Sequence, residues 1–379
     1  MESLTSNFES ILISDKRLLY IDAMNIMSSI FPASSIPNHW DLDSSFLKVK
    51  KLVNAAKVSN IQIKMFFDCD NPSEEAIQKW TLRREQEVEE RYRTMPATSG
   101  FLLGNMFSQC GVETHYSYES DNDDTLAFFA QNDKASILSK DRDFFRYQGR
   151  HYEIFSDFDY NKDGTLKLVP SSNTTSRFGT LPRQIITPPP KTLQMNPRAI
   201  TLKTQATWRM GSPSPLVRDF GNPYITLRPL RQALYARLKI VKPIKELVPY
   251  WDENKGKTCW ESIEVGPDAK LDHLLDDPFK ALESMFNISS LSKPKEIESK
   301  KWANHMFAIC ALTCDICTMA SGTEMNLFNL IKHAKEMFVG KIFEEDNTEE
   351  PTKNDKEKEI VYETNCTVCK KKIQMTRGV

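Results

Sequence analysis

Cysteine, net charge and long apolar runs are all scarce in this sequence. Eight cysteines in 379 residues are too few for a disulfide scaffold in a chain of this size, so we expect reduced thiols. No apolar run approaches the length of a membrane span, and residues 1–20 lack the basic segment and uninterrupted apolar core of a secretory signal. These absences predict a soluble intracellular protein, in the nucleus or cytoplasm, with no membrane partner.

The charge of the chain is balanced in sum but uneven along its length. The formal net charge is -1, which alone neither favours nor excludes a nucleic-acid partner. Residues 182–245 hold twelve Lys or Arg and one acidic residue, whereas residues 343–363 hold nine acidic and three basic residues. The basic segment also contains Trp208, Phe220 and Tyr224, a composition suited to binding phosphates and stacking bases. It could equally pack against the rest of the protein or bind an acidic protein.

Apolar runs and amphipathic segments alternate through the first part of the chain. Strands are predicted at residues 17–21, 61–67, 111–118 and 135–138, and helices at residues 43–59, 73–93, 101–110 and 123–131. This alternation predicts an α/β fold with a central, mostly parallel twisted sheet flanked by helices. Beyond it the pattern predicts a hairpin at residues 150–169, a proline-rich linker at residues 170–210 and a mainly α-helical C-terminal region.

Each predicted strand is followed by at least one acidic residue. The six are Asp22, Asp68, Glu119, Asp121, Asp141 and Asp143. Sites in parallel sheets form outside the carboxyl ends of the strands, so we expect these side chains to meet. One acid in such a place often caps the following helix, but six would repel one another unless a cation lay between them. Oxygen ligands without clustered His or Cys indicate Mg²⁺ or Mn²⁺, and two such ions, held by all six acids, suit phosphodiester hydrolysis.

The acids stand in motifs that resemble those of a nuclease family. Leu-Leu-Tyr-Ile-Asp22, Phe-Phe-Asp68, Tyr-Glu-Ser-Asp121 and Leu-Ser-Lys-Asp-Arg-Asp143 are similar to the acidic motifs of the PIN-like 5′ nucleases, which include the flap endonucleases and the xeroderma pigmentosum endonuclease. Within that family the asteroid group is the most similar, because the segment that begins Asn222-Pro-Tyr-Ile-Thr resembles one that follows the nuclease region there. The resemblance implies a PIN-like nuclease domain at residues 1–169 and a basic, mainly helical asteroid-like region at residues 211–342. The charge composition predicts an acidic, mobile tail at residues 343–379.

In that family, a helical gateway after the second acid binds the scissile phosphate through basic residues. Lys79, Arg83 and Arg84 follow Asp68 on a predicted helix, and the resemblance implies that they bind nucleic acid. The alternative is a solvated helix whose cations pair with its own glutamates between residues 85 and 90.

Two features of the flap endonucleases are missing from this sequence. The chain begins Met1-Glu-Ser-Leu-Thr where they have a small glycine-containing segment, and a predicted hairpin and linker replace the helix-turn-helix that grips duplex. We therefore expect a divalent-metal-dependent nuclease that acts on RNA or single-stranded DNA. The competing hypothesis is a catalytically inactive PIN-like scaffold that binds RNA or protein, with a protein partner at the C-terminal region.

The C-terminal cysteines fall into two groups. Cys310, Cys314 and Cys317 recur at helical spacing among apolar residues, which predicts one buried helix face. Cys366 and Cys369 form half of a possible zinc site, which would need two further ligands, such as Cys314 and Cys317, to be complete.

Overall fold

The structure is a computed structural model of the chain. It describes residues 16–31, 42–68, 73–90, 99–172, 182–185, 189–194, 198–210, 222–277, 280–282, 285, 296–321, 362–365 and 372–375.

A seven-stranded sheet forms the centre of the N-terminal part. Its strands are β1 (Arg17–Asp22), β2 (Ile61–Phe67), β3 (Glu113–Tyr118), β4 (Ser136–Leu138), β5 (Ile154–Tyr160), β6 (Leu166–Pro170) and β7 (Lys191–Leu193). They lie in the order β6-β5-β4-β1-β2-β3-β7, with β1 to β5 parallel to one another and the two edge strands antiparallel. The strand predictions of the first 170 residues are confirmed, and so is the mostly parallel sheet.

Helices cover both faces of this sheet, as the continuous burial of residues 19–22 in β1 requires. The helices are α1 (Ala23–Ile30), α2 (Leu42–Val58), α3 (Glu74–Glu90), α4 (Ser99–Gln109) and α5 (Asn122–Asp133). Leu19 and Ile21 point to the side of the sheet occupied by α1, α2 and α4, whereas Tyr20 packs on the opposite side with Leu126 and Ala130 of α5. A strand with both faces covered has a continuous apolar sequence, which is why β1 was visible in the sequence. The predicted α/β architecture, a mostly parallel central sheet flanked by helices, is therefore confirmed.

A second, smaller sheet has two of its three strands in the region that the sequence predicts to be mainly helical. It contains β8 (Thr207–Arg209), β9 (Ile244–Asp252) and β10 (Lys257–Val265) in the order β10-β9-β8. Helices α6 (Arg198–Gln205), α7 (Pro223–Thr226), α8 (Arg228–Arg237) and α9 (Glu296–Ser321) accompany it. The sequence concealed β9 because Glu246, at an inward position, is fully buried against Arg231, so the alternation appears polar.

The proline-rich stretch is more structured than the predicted linker. Residues 170–210 contain β7, which pairs with β3, as well as α6 and β8. Trp208 and Tyr224 are each 4% exposed within the core, so neither is free to stack on a base. For these two aromatic residues the packing alternative is correct, and the base-stacking alternative is wrong; Phe220 lies outside the described residues.

Other expectations concern the hairpin, the cysteines and membrane contact. The β5–β6 hairpin is confirmed, with its turn closed by Asn161 N donating to Thr165 O at 2.9 Å. Cys310, Cys314 and Cys317 are buried on α9, as predicted, whereas Cys366 and Cys369 lie outside the described residues. Within the part of the chain that the structure describes, no helix is long and apolar enough to cross a membrane.

Candidate functional site

The site lies where the strand order of the central sheet reverses. From β1 the chain adds β2 and β3 on one side and then returns to add β4 and β5 on the other. Connections that leave β1 and β4 in opposite directions open a crevice at their carboxyl ends, where ligands bind in sheets of this kind. Asp22 is the last residue of β1, and Ser139 directly follows β4. The hydroxyl of Ser139 donates to Asp22 Oδ2 at 2.9 Å and accepts from Asp141 N at 3.0 Å, which joins the two strand ends.

Asp22 is the most enclosed acid of the crevice, with 4% of its surface exposed. Burial raises the pKa of its carboxyl group, as does the nearby charge of Asp141. Hydrogen bonds from Ser139 and from the side chain of Asn25 act in the opposite direction, because they stabilise the carboxylate. These donors fix the orientation of Asp22 in the crevice.

Asp121 and Asp141 cap the elements that come after their strands. Asp121 Oδ1 accepts from Asp123 N at 2.9 Å at the start of α5. Asp141 Oδ1 accepts from Asp143 N at 2.8 Å at the start of the 3₁₀ turn Arg142–Arg146. Both residues therefore have the helix-capping role that is common for an acid at a strand end. Each cap engages only Oδ1, and it holds the whole carboxylate at the rim of the crevice.

Asp123 is a member of the site that sequence reasoning missed. Burial and the charges of four other acids raise its pKa to about 8; the four are Asp121, Asp22, Asp141 and Asp143. Such mutual repulsion requires that all five carboxyl groups lie near one another. The signal was present in the sequence: if Asp121 caps α5, then Asp123 falls in the first helical turn, beside the same strand ends.

Glu119 and Asp68 are less closely tied to this cluster than the other predicted acids. Glu119 is exposed, adopts a left-handed backbone conformation with φ 62°, and forms an ion pair with Lys191 of β7 at 3.1 Å. Asp68 is exposed immediately after β2, at the same edge of the sheet. Neither is among the main charges that act on Asp22 or Asp123. The structure thus brings together four of the six predicted acids with Asp123.

The cluster offers oxygen donors only, but they do not converge on one point. Among the described residues, no group of three His, Cys, Asp or Glu side chains is placed to hold a metal ion. Asp143 also pairs with Arg146 at 2.7 Å. The donor chemistry is nevertheless that of hard divalent cations, and the pKa of Asp123 is raised first by burial and then by the charges of the neighbouring acids.

The predicted gateway residues lie on α3. Lys79 is exposed and pairs with Glu75 at 3.1 Å, Arg84 is largely buried and pairs with Glu87 at 2.6 Å, and Arg83 is exposed. Both Lys79 and Arg84 thus pair within the helix, but Glu75 lies before the glutamates of residues 85–90 that the alternative names, and Arg84 is largely buried and not solvated. Arg83 keeps an exposed side chain, as a phosphate-binding residue needs.

Helix α3 also packs against the second sheet. The rings of Trp80 and Trp260 lie 5.3 Å apart, and Trp260 Nε1 donates to Glu85 Oε1 at 2.8 Å. Thr258 N donates to Glu89 Oε1 at 3.4 Å. The strands β9 and β10 therefore fix the position of α3.

Comparison with known proteins gives a limited result. No family model matches the chain, and no curated protein matches it. A solved structure described as the catalytic core of Rad2 in complex with DNA substrate is similar over 85% of this chain and 92% of that one, with 10% sequence identity and a TM-score of 0.25. A likeness this distant carries no argument about the activity of this chain.

Proposed function

We propose that this protein is a divalent-metal-dependent nuclease that hydrolyses phosphodiester bonds of RNA or single-stranded DNA. The observation that carries the proposal is the group of five acids, from β1, the start of α5 and the turn after β4, at the reversal point of the sheet. A cluster of this kind destabilises the fold unless its charge is compensated, so its presence favours a ligand that carries positive charge.

Mg²⁺ or Mn²⁺, as two ions, is the ligand that this donor set fits best. The residues that would hold the ions are Asp22, Asp121, Asp123, Asp141 and Asp143, with Asp68 and Glu119 at the rim. Bound metal would supply activation of water and stabilisation of charge on the phosphate. Zinc is not supported at this cluster, because the described donors include neither Cys nor His. The zinc site suggested by Cys366 and Cys369 stays a prediction.

The chain itself contributes orientation and charge. Ser139 and Asn25 hold Asp22, and the two caps hold Asp121 and Asp141, so the acids are fixed before substrate arrives. Such preorganisation lowers the cost of assembling the reacting groups. We propose that Lys79 and Arg83 bind backbone phosphates from α3, with Arg84 supporting the helix through its pair with Glu87.

Single-stranded substrate is favoured by the structure of the chain after Asp143. Residues 144–172 are all described and contain the end of the 3₁₀ turn and the β5–β6 hairpin, where the flap endonucleases have a duplex-binding element. A flexible single strand of nucleic acid can enter a crevice at the carboxyl ends of β1 and β4 more easily than a rigid duplex can. A competition between matched single-stranded and duplex oligonucleotides in Mg²⁺ tests this, and preference for duplex would contradict it.

A catalytically inactive scaffold is the second candidate. The ion pair of Glu119 with Lys191 and the lack of a converged ligand group among the described residues favour it. One measurement distinguishes the two candidate functions: whether the protein cleaves labelled single-stranded RNA or DNA in Mg²⁺, Mn²⁺ or EDTA.

The deciding variant is Asp141→Asn, with Asp157→Asn, an exposed position on β5, as the matched control. We expect metal-dependent cleavage by the wild type and the control and none by Asp141→Asn, whose fold is retained. Equal cleavage by wild type and Asp141→Asn, or cleavage that survives EDTA, would refute the assignment. No cleavage by purified wild-type protein with any of these substrates would favour the scaffold.

A further inference from the structure

Arg183 is attached to the rim of the acidic crevice by its backbone and its side chain. Although it lies in the proline-rich stretch, Arg183 N donates to Arg146 O at 2.9 Å and Gln148 N donates to Arg183 O at 2.9 Å. Its guanidinium carbon lies 5.9 Å from the centre of the Tyr147 ring, and Nη1 donates to the Tyr147 hydroxyl at 3.4 Å. The backbone bonds do not depend on the side chain, so the residue can be changed without detaching the segment.

The place of attachment is beside the acids. Nη1 of Arg183 lies 3.6 Å from Asp124 Oδ1, and Asp124 directly follows Asp123 in the first turn of α5. Tyr147 follows the 3₁₀ turn that Asp141 caps, and its hydroxyl donates to Asp124 Oδ1 at 2.6 Å. Arg183 therefore spans the two elements whose caps, Asp121 and Asp141, belong to the cluster.

The guanidinium retains donors for a ligand. The side chain of Arg183 is 32% exposed, and among the described residues only Nη1 has a hydrogen-bond partner. A charge-assisted bond to a carboxylate is normally about 2.7–2.9 Å long, so the separation of 3.6 Å from Asp124 is a loose contact. An arginine carries five N–H donors in a rigid fork that matches two phosphate oxygens.

The other cations near the acids are less suited to this role. Arg146 is committed to Asp143 at 2.7 Å. Lys140 and Arg142 alternate with Asp141 along the chain, but both are exposed, and nothing in the described residues fixes their side chains. Arg183 combines a fixed position with open donors. A nucleic-acid phosphate that approaches five clustered acids meets strong repulsion, and a cation at the rim reduces it.

We propose that Arg183 binds a backbone phosphate of single-stranded nucleic acid at the rim of the crevice and positions it over the acids. The inference rests on the proposed nuclease function and adds a residue, from a segment outside the acidic motifs, to its binding site. A contact to phosphate alone carries no sequence preference, so Arg183 contributes affinity and register but not base specificity.

The test compares Arg183→Ala and Arg183→Lys with Arg150→Ala in the full chain. Arg150 is a matched control, because its guanidinium also lies over a ring, that of Phe145 at 5.2 Å. Arg150 lies beside the opposite end of α5 from Asp124. There the side chain of Gln131 donates to Gly149 O and accepts from His151 N. Affinity for a fluorescein-labelled single-stranded RNA is measured by anisotropy in EDTA over a salt series, so that binding is read without turnover. Cleavage in Mg²⁺ gives KM and kcat, and a thermal melt reports the fold.

We expect Arg183→Ala to bind about tenfold more weakly and to lose roughly 0.7 from the slope of log affinity against log salt, the share of one phosphate contact on a single strand. Arg183→Lys should recover part of the affinity, Arg150→Ala should match wild type, and KM should rise more than kcat falls. Unchanged affinity and slope in Arg183→Ala would overturn the inference, as would equal weakening in Arg150→Ala. If wild type cleaves and Arg183 has no effect, only this inference fails. If wild type binds through Arg183 but never cleaves, only the nuclease function fails.

Discussion

Replacement of Asp123 by asparagine should remove a pH-dependent penalty on folding. The folded-state pKa of Asp123 is raised from 3.8 to about 8 by burial and four neighbouring acids. Between these values the folded protein binds a proton that the unfolded chain has released. Stability therefore falls as pH rises through this window, and the penalty is complete above the folded pKa. Asparagine never ionises, so the variant should lack this dependence.

The size of the effect depends on the width of the window. One pKa unit corresponds to about 1.4 kcal/mol, so the interval from about pH 5 to about pH 8 has an upper limit of about 4 kcal/mol. Asp123 is only partly buried, and water screens its interactions, so we expect about 1–2 kcal/mol. For a domain of about 150–250 residues, this free energy corresponds to a difference of roughly 2–8 °C in Tm.

Thermal melts near pH 5, 7 and 9 test this prediction. We expect the advantage of Asp123→Asn over wild type to grow with pH, and added Mg²⁺ to reduce it, because a bound cation stabilises the carboxylates of the wild type. Asp124→Asn is the neighbouring control: Asp124 accepts a bond from Tyr147 and lies beside Arg183, so its loss should lower Tm. Parallel pH profiles for wild type and Asp123→Asn would refute the reasoning.

Three further predictions test other parts of the structure. Glu119→Gly should raise Tm, because it relieves up to about 1 kcal/mol of left-handed backbone strain. It should also lower cleavage if Glu119 is a metal ligand. A lower Tm would contradict the strain argument. Glu246→Gln should cost about 3–5 kcal/mol in denaturant unfolding, because it leaves Arg231 buried without its anion, whereas Glu261→Gln at the partly exposed partner of Arg228 should cost about 1 kcal/mol or less. Trp260→Phe keeps a ring against Trp80 but loses the hydrogen-bond donor to Glu85. We therefore expect the free energy of unfolding to fall by about 1 kcal/mol and KM to rise with kcat unchanged. A change in kcat alone would contradict a positioning role for α3.

The parts of the fold that the sequence could predict are those set by local periodicity. The runs that became β1 and β2 are buried on both faces, and helices α2, α3, α4 and α5 begin within two residues of their predicted starts. Strands of three residues such as β7 and β8 contain too few positions for any period to show. Their conformation is set by the neighbouring strands β3 and β9, which no local pattern can reveal.

The second sheet was hidden for a different reason. Glu246 lies at an inward position of β9, where an apolar side chain is the usual choice, and its charge is compensated by two arginines of α8. Tyr235 donates a further bond to the same carboxylate at 2.7 Å. A buried charge is tolerated only when such partners are present, and those partners are ten or more residues away in sequence. In the sequence, the charged residue Glu246 therefore suggested an exposed position.

An acidic residue can cap a helix and bind a ligand at the same time. The prediction of the acidic site treated these two roles as alternatives, but they do not exclude one another. A carboxylate has two oxygens, and an N-cap bond uses one of them. Asp121 and Asp141 each accept a bond from a backbone N–H through Oδ1, and this bond restricts the rotation of the carboxylate. Once Asp121 is accepted as the cap of α5, the helix begins at Asn122, and its first turn carries Asp123 to the same sheet edge. Treating capping as the competing explanation conceals this step, because Asp121 is then counted only as a strand-end acid, whereas Asp123 is assigned to the following helix and left out of the set. The acids that cap the elements after β3 and β4 are thus the ones that a strand-end site can use, since the cap removes the rotational freedom that a catalytic carboxylate would otherwise have to lose on binding.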